Sequence, residues 1–252
     1  MTPPLRVVAA LDSFKGSVTS VQANEAARRG VLRAAPDARV AVVPVADGGE
    51  GTLEALASVG QAGSVETVDL HGRPIVAPHV VLADGAAVVE SASALGLDLL
   101  VGRDPAGAAR AQSAGLGRQI AAIARSGAPR VLVGLGGTGC SDGGTGLLLA
   151  LGARMWDAAG AALMPDSPHP LLAGPVRVEL PVPPCELVAL ADVDSPLLGP
   201  TGAARMFGPQ KGADAALVAR LEAAMEGWAA ALAEAGADVA DVPGAGAAGG
   251  LG

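Results

Sequence analysis

Residues 131–146, VLVGLGGTGCSDGGTG, decide how the rest of the chain is read. RVLVGL reads as a buried strand, and the glycine-rich run after it matches two catalytic patterns at once. Gly134, Gly136 and Gly139 spell the G-x-G-x-x-G dinucleotide fingerprint, with Asp157 about 20 residues on, where a ribose-binding acid belongs. Gly139, Ser141 and Gly143 spell the G-x-S-x-G nucleophile elbow, with His169 downstream in the order Ser, Asp, His. Each match has a defect. With 36 glycines in 252 residues, roughly 0.7 fingerprints arise by chance, and Gly244, Gly246 and Gly249 supply a second. The third glycine should lead into a helix, yet CSDGG comes next. An elbow serine sits directly after its strand, yet GGT intervenes. A purely structural glycine turn is the third reading.

Outward from this stretch, short β-branched runs alternate with Ala-rich helical ones. RVVAAL (6–11) and RVAVVPVA (39–46) read as strands, and Thr19 with Gln22 as a capping box for a helix through about Ala35. TLEALASVG reads as a short helix, residues 64–91 as a mixed-sheet region with Gly and Asp turns, and GRQIAAIARSG as a helix. GLLLALG is a helix, ARMW a strand, the Pro-rich 165–184 a surface connection and ELVALAD (186–192) a strand, followed by a long amphipathic helix from about residue 213. This alternation predicts an α/β fold with a largely parallel sheet.

Several of these strands run into a loop carrying Asp and Gly. They supply Asp12, then Asp47 and Glu50, then Asp142, then Asp192 and Asp194. In open α/β sheets the ligand sits beyond the carboxyl ends of the strands. Carboxylates gathered there repel one another unless a cation bridges them, which suits Mg²⁺ held with substrate phosphates, while glycine loops offer N–H donors to phosphate. The only two lysines, Lys15 and Lys211, each precede glycine in a chain that otherwise uses arginine, and each follows one of the two phenylalanines, Phe14 and Phe207. Lysine acts on phosphate as a compact point charge.

Composition narrows the classes. A net charge of -8 without a basic cluster argues against nucleic acid or an anionic membrane as partner. No apolar run reaches the length of a membrane span, and the N-terminus lacks a secretory pattern. Cys140 and Cys185 form no C-x-x-C, and His71, His79 and His169 have no zinc-ligand spacing. A reduced, cytoplasmic protein is expected.

The segments ALDSFKGSVTSVQANEA, VPVADGGEGTLEAL, GLGGTGCSDGGTGLLLALG and ADVDSPLLGPTGAARMFGPQKGA resemble the signature segments of type I glycerate kinases, and VPGAGAAGGLG a further one. The resemblance runs from about Arg6 to Gly252. It implies ATP- and Mg²⁺-dependent phosphorylation of D-glycerate, usually to 2-phosphoglycerate. It also implies a Rossmann-like three-layer α/β domain, begun by residues 1–66, with a second, mixed α/β domain inserted over 67–252 together with the start of the return segment. Lys15 and Lys211 are then expected to neutralise phosphate or glycerate carboxylate charge. Asp192 or Asp194 would hold Mg²⁺, and Asp47 or Asp142 would accept or orient the substrate hydroxyl. Asp12, Ser13, Gly16, Gly48, Gly49, Glu50, Gly137, Thr138, Ser141 and Gly143 would bind substrate or phosphate. The family often reads G-G-S-A-T-N-D-G-G where this chain has GGTGCSDGG, so Ser141 stands where Asn is common. Family members also continue further, through a T-G-E-G segment absent here, so the Rossmann-like domain is expected to be incomplete and this chain a weak or inactive kinase. A dinucleotide oxidoreductase and a non-catalytic binding remnant of a kinase are the alternatives. Oligomeric state is left open.

Overall fold

The computed structural model describes residues 3–14, 17–46, 48–49 and 51–252. Lys15, Gly16, Asp47 and Glu50, all expected at the site, lie outside the described residues. The fold is α/β, with three sheets among the described residues.

The chain opens with β1 (Arg6–Ala9), α1 (Ser20–Ala34), β2 (Arg39–Val42) and α2 (Thr52–Leu56). β1 and β2 pair in parallel as a two-stranded sheet. The expected capping box starts α1: the Thr19 hydroxyl accepts from the Gln22 N–H at 3.3 Å, and the Gln22 side chain accepts from the Thr19 N–H at 3.1 Å. Leu5, Val8, Phe14 and Val43 around this sheet are 46–66% exposed.

Next come β3 (Gln61–Val68), β4 (Pro74–Val81), β5 (Ala87–Glu90), α3 (Ala92–Leu95), α4 (Pro105–Ala108), α5 (Ala114–Arg125), β6 (Arg130–Gly134) and α6 (Thr145–Ala150). After them come β7 (Arg154–Asp157), β8 (Ala162–Leu163), β9 (Pro175–Glu179), β10 (Glu186–Leu190), α7 (Ala203–Phe207) and α8 (Ala215–Glu234). The central sheet has the order β10-β6-β5-β4-β3. Its β10, β6 and β5 are parallel, while β4 and β3 return antiparallel. Strand β3, within which the expected boundary at residue 66/67 falls, pairs with β4 along its whole length.

The third sheet, β8-β7-β9, is antiparallel. Its strand β9 lies within the Pro-rich stretch expected to be a plain connection. Proline is tolerated there because β9 is an edge strand and Pro175 is its first residue. Helix α8 covers this region. Its Leu217, Leu221, Met225, Trp228 and Leu232 recur at helical spacing and are buried with Met155 and Leu171. A second core, built on Leu116, Ile120, Val89 and Val131, lies under α5. Among the described residues no helix is long and apolar enough to cross a membrane.

Candidate functional site

The register of the central sheet sets the site. Gly134, the last residue of β6, pairs with Glu90 of β5 and Leu190 of β10. The loops after all three parallel strands therefore leave one edge of the sheet, as a ligand site in an open α/β sheet requires. The loop after β2 joins them. A Cβ on Gly134 would collide with the Gly48 carbonyl and one on Gly136 with the Gly49 Cα, so only glycine permits the two loops to touch.

A cavity of about 360 Å³ opens at this junction. Gly48 and Gly49 line one side, Gly136, Gly137 and Thr138 another. Asp192, Lys211 and the turn at Ala247 and Ala248 complete the wall. The N–H groups of Gly136, Gly137 and Thr138 meet no acceptor among the described residues. The Thr138 hydroxyl is engaged, 2.6 Å from the Ser91 hydroxyl and donating to the Leu135 carbonyl at 3.2 Å, so this loop offers backbone rather than side-chain donors.

Lys211 is 2% exposed and donates to the Cys140 carbonyl. No carboxylate among the described residues forms an ion pair with it. Burial pulls its ammonium down to about 8, against the opposing pull of Cys140 and Asp142. Burial, reinforced by Asp142, holds the Cys140 thiol well above its usual range, so it is a neutral neighbour. A Cβ on Gly249 would sit 2.7 Å from the Lys211 Nζ, and Gly143 donates to the Gly249 carbonyl at 3.0 Å. The C-terminal glycine turn is thus stitched to the 139–144 loop. Ala248 in that turn has a left-handed φ of 54°, unusual for a residue with a Cβ.

Asp142 takes a different place from the expected one. It is fully buried, and its carboxylate accepts from the Ser113 N–H and hydroxyl at 2.8 Å each, from Gly146 N–H at 3.1 Å and from Gly144 N–H at 3.3 Å. It holds the loop to the start of α6 and α5 and does not face the cavity. Ser141 is buried with its hydroxyl unpartnered, and the Gly143 carbonyl accepts from the Trp228 indole at 2.9 Å. Neither lines the cavity.

Asp12 and Ser13 lie on the loop after β1, where the Asp12 side chain accepts from the Ser13 N–H at 2.6 Å, and they do not line the cavity either. Asp194, like Asp192, is exposed, and neither has a partner among the described residues. Among the described residues no three or more His, Cys, Asp or Glu side chains cluster as a ready metal cage. Two free carboxylates at a strand end still suit Mg²⁺, which keeps waters and takes substrate phosphates as its other ligands.

Two positioning residues escaped the sequence reading. Asn24 accepts from the Leu11 N–H at 2.8 Å and donates to the Leu11 carbonyl at 2.8 Å. The Ser20 hydroxyl also donates to that carbonyl, at 2.7 Å, and accepts from the Val45 N–H at 3.0 Å. They tie the loops after β1 and β2 together. The available signal was a polar pair four residues apart on the inward face of α1.

The two competing motif readings fail on geometry. Helix α6 begins at Thr145, too far beyond Gly139 for a fingerprint turn, and Asp157 serves a turn in the third sheet, accepting from Ala159 and Ala161 N–H. The buried Ser141 hydroxyl has no hydrogen-bond partner among the described residues, and buried His169 accepts from Leu172 N–H at 3.4 Å, with its imidazolium disfavoured by burial.

The fold and cavity define an α/β protein whose strand ends and glycine loops converge on one small site. The sequence matches the glycerate kinase family over residues 7–252. It is 37% identical to Glycerate 2-kinase of Escherichia coli over 98% of this chain and 67% of that protein. It is 37% identical to Glycerate kinase of Bacillus subtilis over 98% of this chain and 66% of that one. A crystal structure of the Salmonella typhimurium LT2 protein described as glycerate kinase 2 superposes with a TM-score of 0.86 at 33% identity, covering 99% of this chain and 68% of that one. A Mycobacterium bovis relative, 41% identical, is covered over 61% of its length. The chain belongs to the glycerate kinase family. It spans about two thirds or less of the length of these curated relatives.

Proposed function

We propose that this chain carries the acceptor site of a kinase that transfers the γ-phosphoryl group of ATP to D-glycerate, giving 2-phosphoglycerate. The carrying observation is the cavity lined by the 136–138 loop, whose N–H groups have no acceptor among the described residues, together with the buried Lys211, in no ion pair among those residues, and the exposed Asp192 carboxylate. Phosphoryl transfer is mostly positioning and charge neutralisation, and these groups supply both. The loop amides orient anionic oxygens without a reorganisation cost. Lys211 carries the positive charge, and Lys15 is assigned a second one from the family resemblance. Asp47 precedes cavity-lining Gly48 and is assigned to orient the attacking hydroxyl, since Asp142 is committed to its loop. Mg²⁺, held by Asp192 and Asp194, would neutralise charge on the nucleotide phosphates. Gly16 and Glu50 keep the supporting roles that the resemblance gives them, as do Asp12 and Ser13 beside Lys15. A soluble, cytoplasmic setting fits the proposed metabolite substrate.

A coupled ADP-release assay with D-glycerate tests this, run on this chain and on a version extended to the full length of its relatives. ADP release that depends on D-glycerate in either protein is expected. Its absence from both, or equal release with glycerol, would contradict the proposal.

A further inference from the structure

We infer that the outer edge of β10 reads the adenine base of the nucleotide, in a second cavity beside the first. The inference rests on the ATP reading above and says where the base of that nucleotide goes. The second cavity, about 510 Å³, is within the usual range of ligand sites. Pro44, Ala46, Ala55 and Leu56 line it together with residues 189–191. It shares Gly48, Leu190 and Ala191 with the first cavity. Gly48 lies against β10, where a Cβ would be 3.2 Å from the Leu190 carbonyl.

Among the described residues β10 is the outermost strand of the central sheet, and its register with β6 decides which way its main chain points. Glu186 N–H donates to the Pro129 carbonyl at 3.1 Å, and Leu135 N–H donates to the Leu190 carbonyl at 3.2 Å. Main-chain groups alternate sides along a strand, so Glu186, Val188 and Leu190 bond to β6 while Ala189 and Ala191 face outward. Neither alanine has a turn or loop partner among the described residues. The Ala189 carbonyl and the Ala191 N–H therefore stand as an acceptor and a donor on one edge. Adenine carries the reverse pair on its Watson–Crick edge, a donating N6 amino group beside an accepting N1. The apolar lining suits the faces of a flat base. Thr52 supplies the one hydroxyl among the described lining residues, and it donates to the Gly49 carbonyl at 2.8 Å. Recognition therefore falls to the main chain. Asp192, the residue after Ala191, lines the first cavity, so a base on this edge leaves its phosphates to pass Gly48 toward the glycine loop.

Isothermal titration with ATP and ITP tests the assignment, on this chain and on the version extended to the full length of its relatives. Hypoxanthine presents O6 and N1–H, so an acceptor would meet the Ala189 carbonyl and a donor the Ala191 N–H. ITP is expected to bind at least about tenfold more weakly than ATP. Ala191→Pro removes the N–H without breaking a ladder bond, because the residue faces outward just past the end of β10. It should weaken ATP about tenfold, the effect of one lost hydrogen bond, and leave ITP within about twofold. Equal affinity of the unaltered protein for ATP and ITP would overturn the assignment while leaving the kinase reading intact, and this comparison decides should Ala191→Pro fail to fold. Equal losses for both nucleotides in a folded Ala191→Pro variant would also overturn it. Self-association that Ala191→Pro removes and ATP leaves untouched, seen by sedimentation velocity, would give the edge to a second copy of the chain and overturn it as well. No nucleotide binding by either protein would overturn both readings.

Discussion

Replacing Asp142 by asparagine separates a structural from a catalytic carboxylate. The side chain is fully buried and accepts four hydrogen bonds, two from Ser113 and one each from Gly144 and Gly146. Asparagine keeps the shape and one acceptor oxygen but turns an NH₂ toward donors that need an acceptor. A hydrogen bond to a charged group contributes about 1.5–3 kcal/mol, and a buried donor left unmet costs about 1–3 kcal/mol. The amide oxygen can take the Oδ2 place and keep both Ser113 donors and the Gly146 N–H, leaving the Gly144 N–H facing the NH₂. One unmet donor and the charge lost from the other three give an expected loss of about 2–4 kcal/mol. Against the roughly 5–15 kcal/mol of a typical domain this is a large fraction. Urea unfolding followed by Trp fluorescence measures it, since Trp228 bonds the same loop at Gly143. D-Glycerate binding measured below the unfolding transition should fall only modestly. A wild-type urea midpoint combined with abolished turnover would refute the reasoning and return Asp142 to the substrate.

Gly136→Ala places a Cβ against the Gly49 Cα and should push the 48–49 loop from the cavity wall, weakening D-glycerate binding at least about tenfold with a small change in urea midpoint. Unchanged binding would show that the two loops need not touch. Lys211 in the folded chain is lowered from 10.5 to about 8 by burial, so the unfolded chain holds the extra proton between those values. Stability of the ligand-free chain should therefore rise with pH across about 8 to 10.5, while D-glycerate affinity falls above about 8. Titration calorimetry and urea midpoints on the unaltered chain and Lys211→Met check both signs, and the slopes should vanish in the variant. Leu5, Val8, Phe14 and Val43 form exposed apolar surface around β1 and β2, so the chain should self-associate at high concentration. Val8→Thr should reduce this in sedimentation velocity, and an unaffected monomer–oligomer balance would place the contact elsewhere.

Much of the architecture was legible because local signals agreed. The Thr19–Gln22 box, the β6 run RVLVG and the heptad-like apolar spacing of α8 each specify one element without tertiary help. Strand β9 was hidden because proline signals a connection unless the strand lies at a sheet edge, which only the paired partner reveals. The recurrence of Asp and Gly after strands pointed to the loops that carry Gly48, Gly137 and Asp192, and these three residues line one cavity. It could not distinguish Asp142, because a carboxylate that faces a ligand and one that caps a buried loop look alike in sequence. Ser113, its main partner, lies 29 residues away. The role of the turn at Ala247 and Ala248 was equally hidden, since its contact with the 139–144 loop depends on how α7 and α8 return the chain.

A crystal structure of this chain soaked with D-glycerate tests the central claim most directly. D-Glycerate is expected in the cavity bounded by Gly48, Gly136–Thr138 and Asp192, with anionic oxygens on the N–H groups of the 136–138 loop and a hydroxyl turned toward the Gly48 side. D-Glycerate bound at a different surface, with this cavity left to solvent, would contradict that claim.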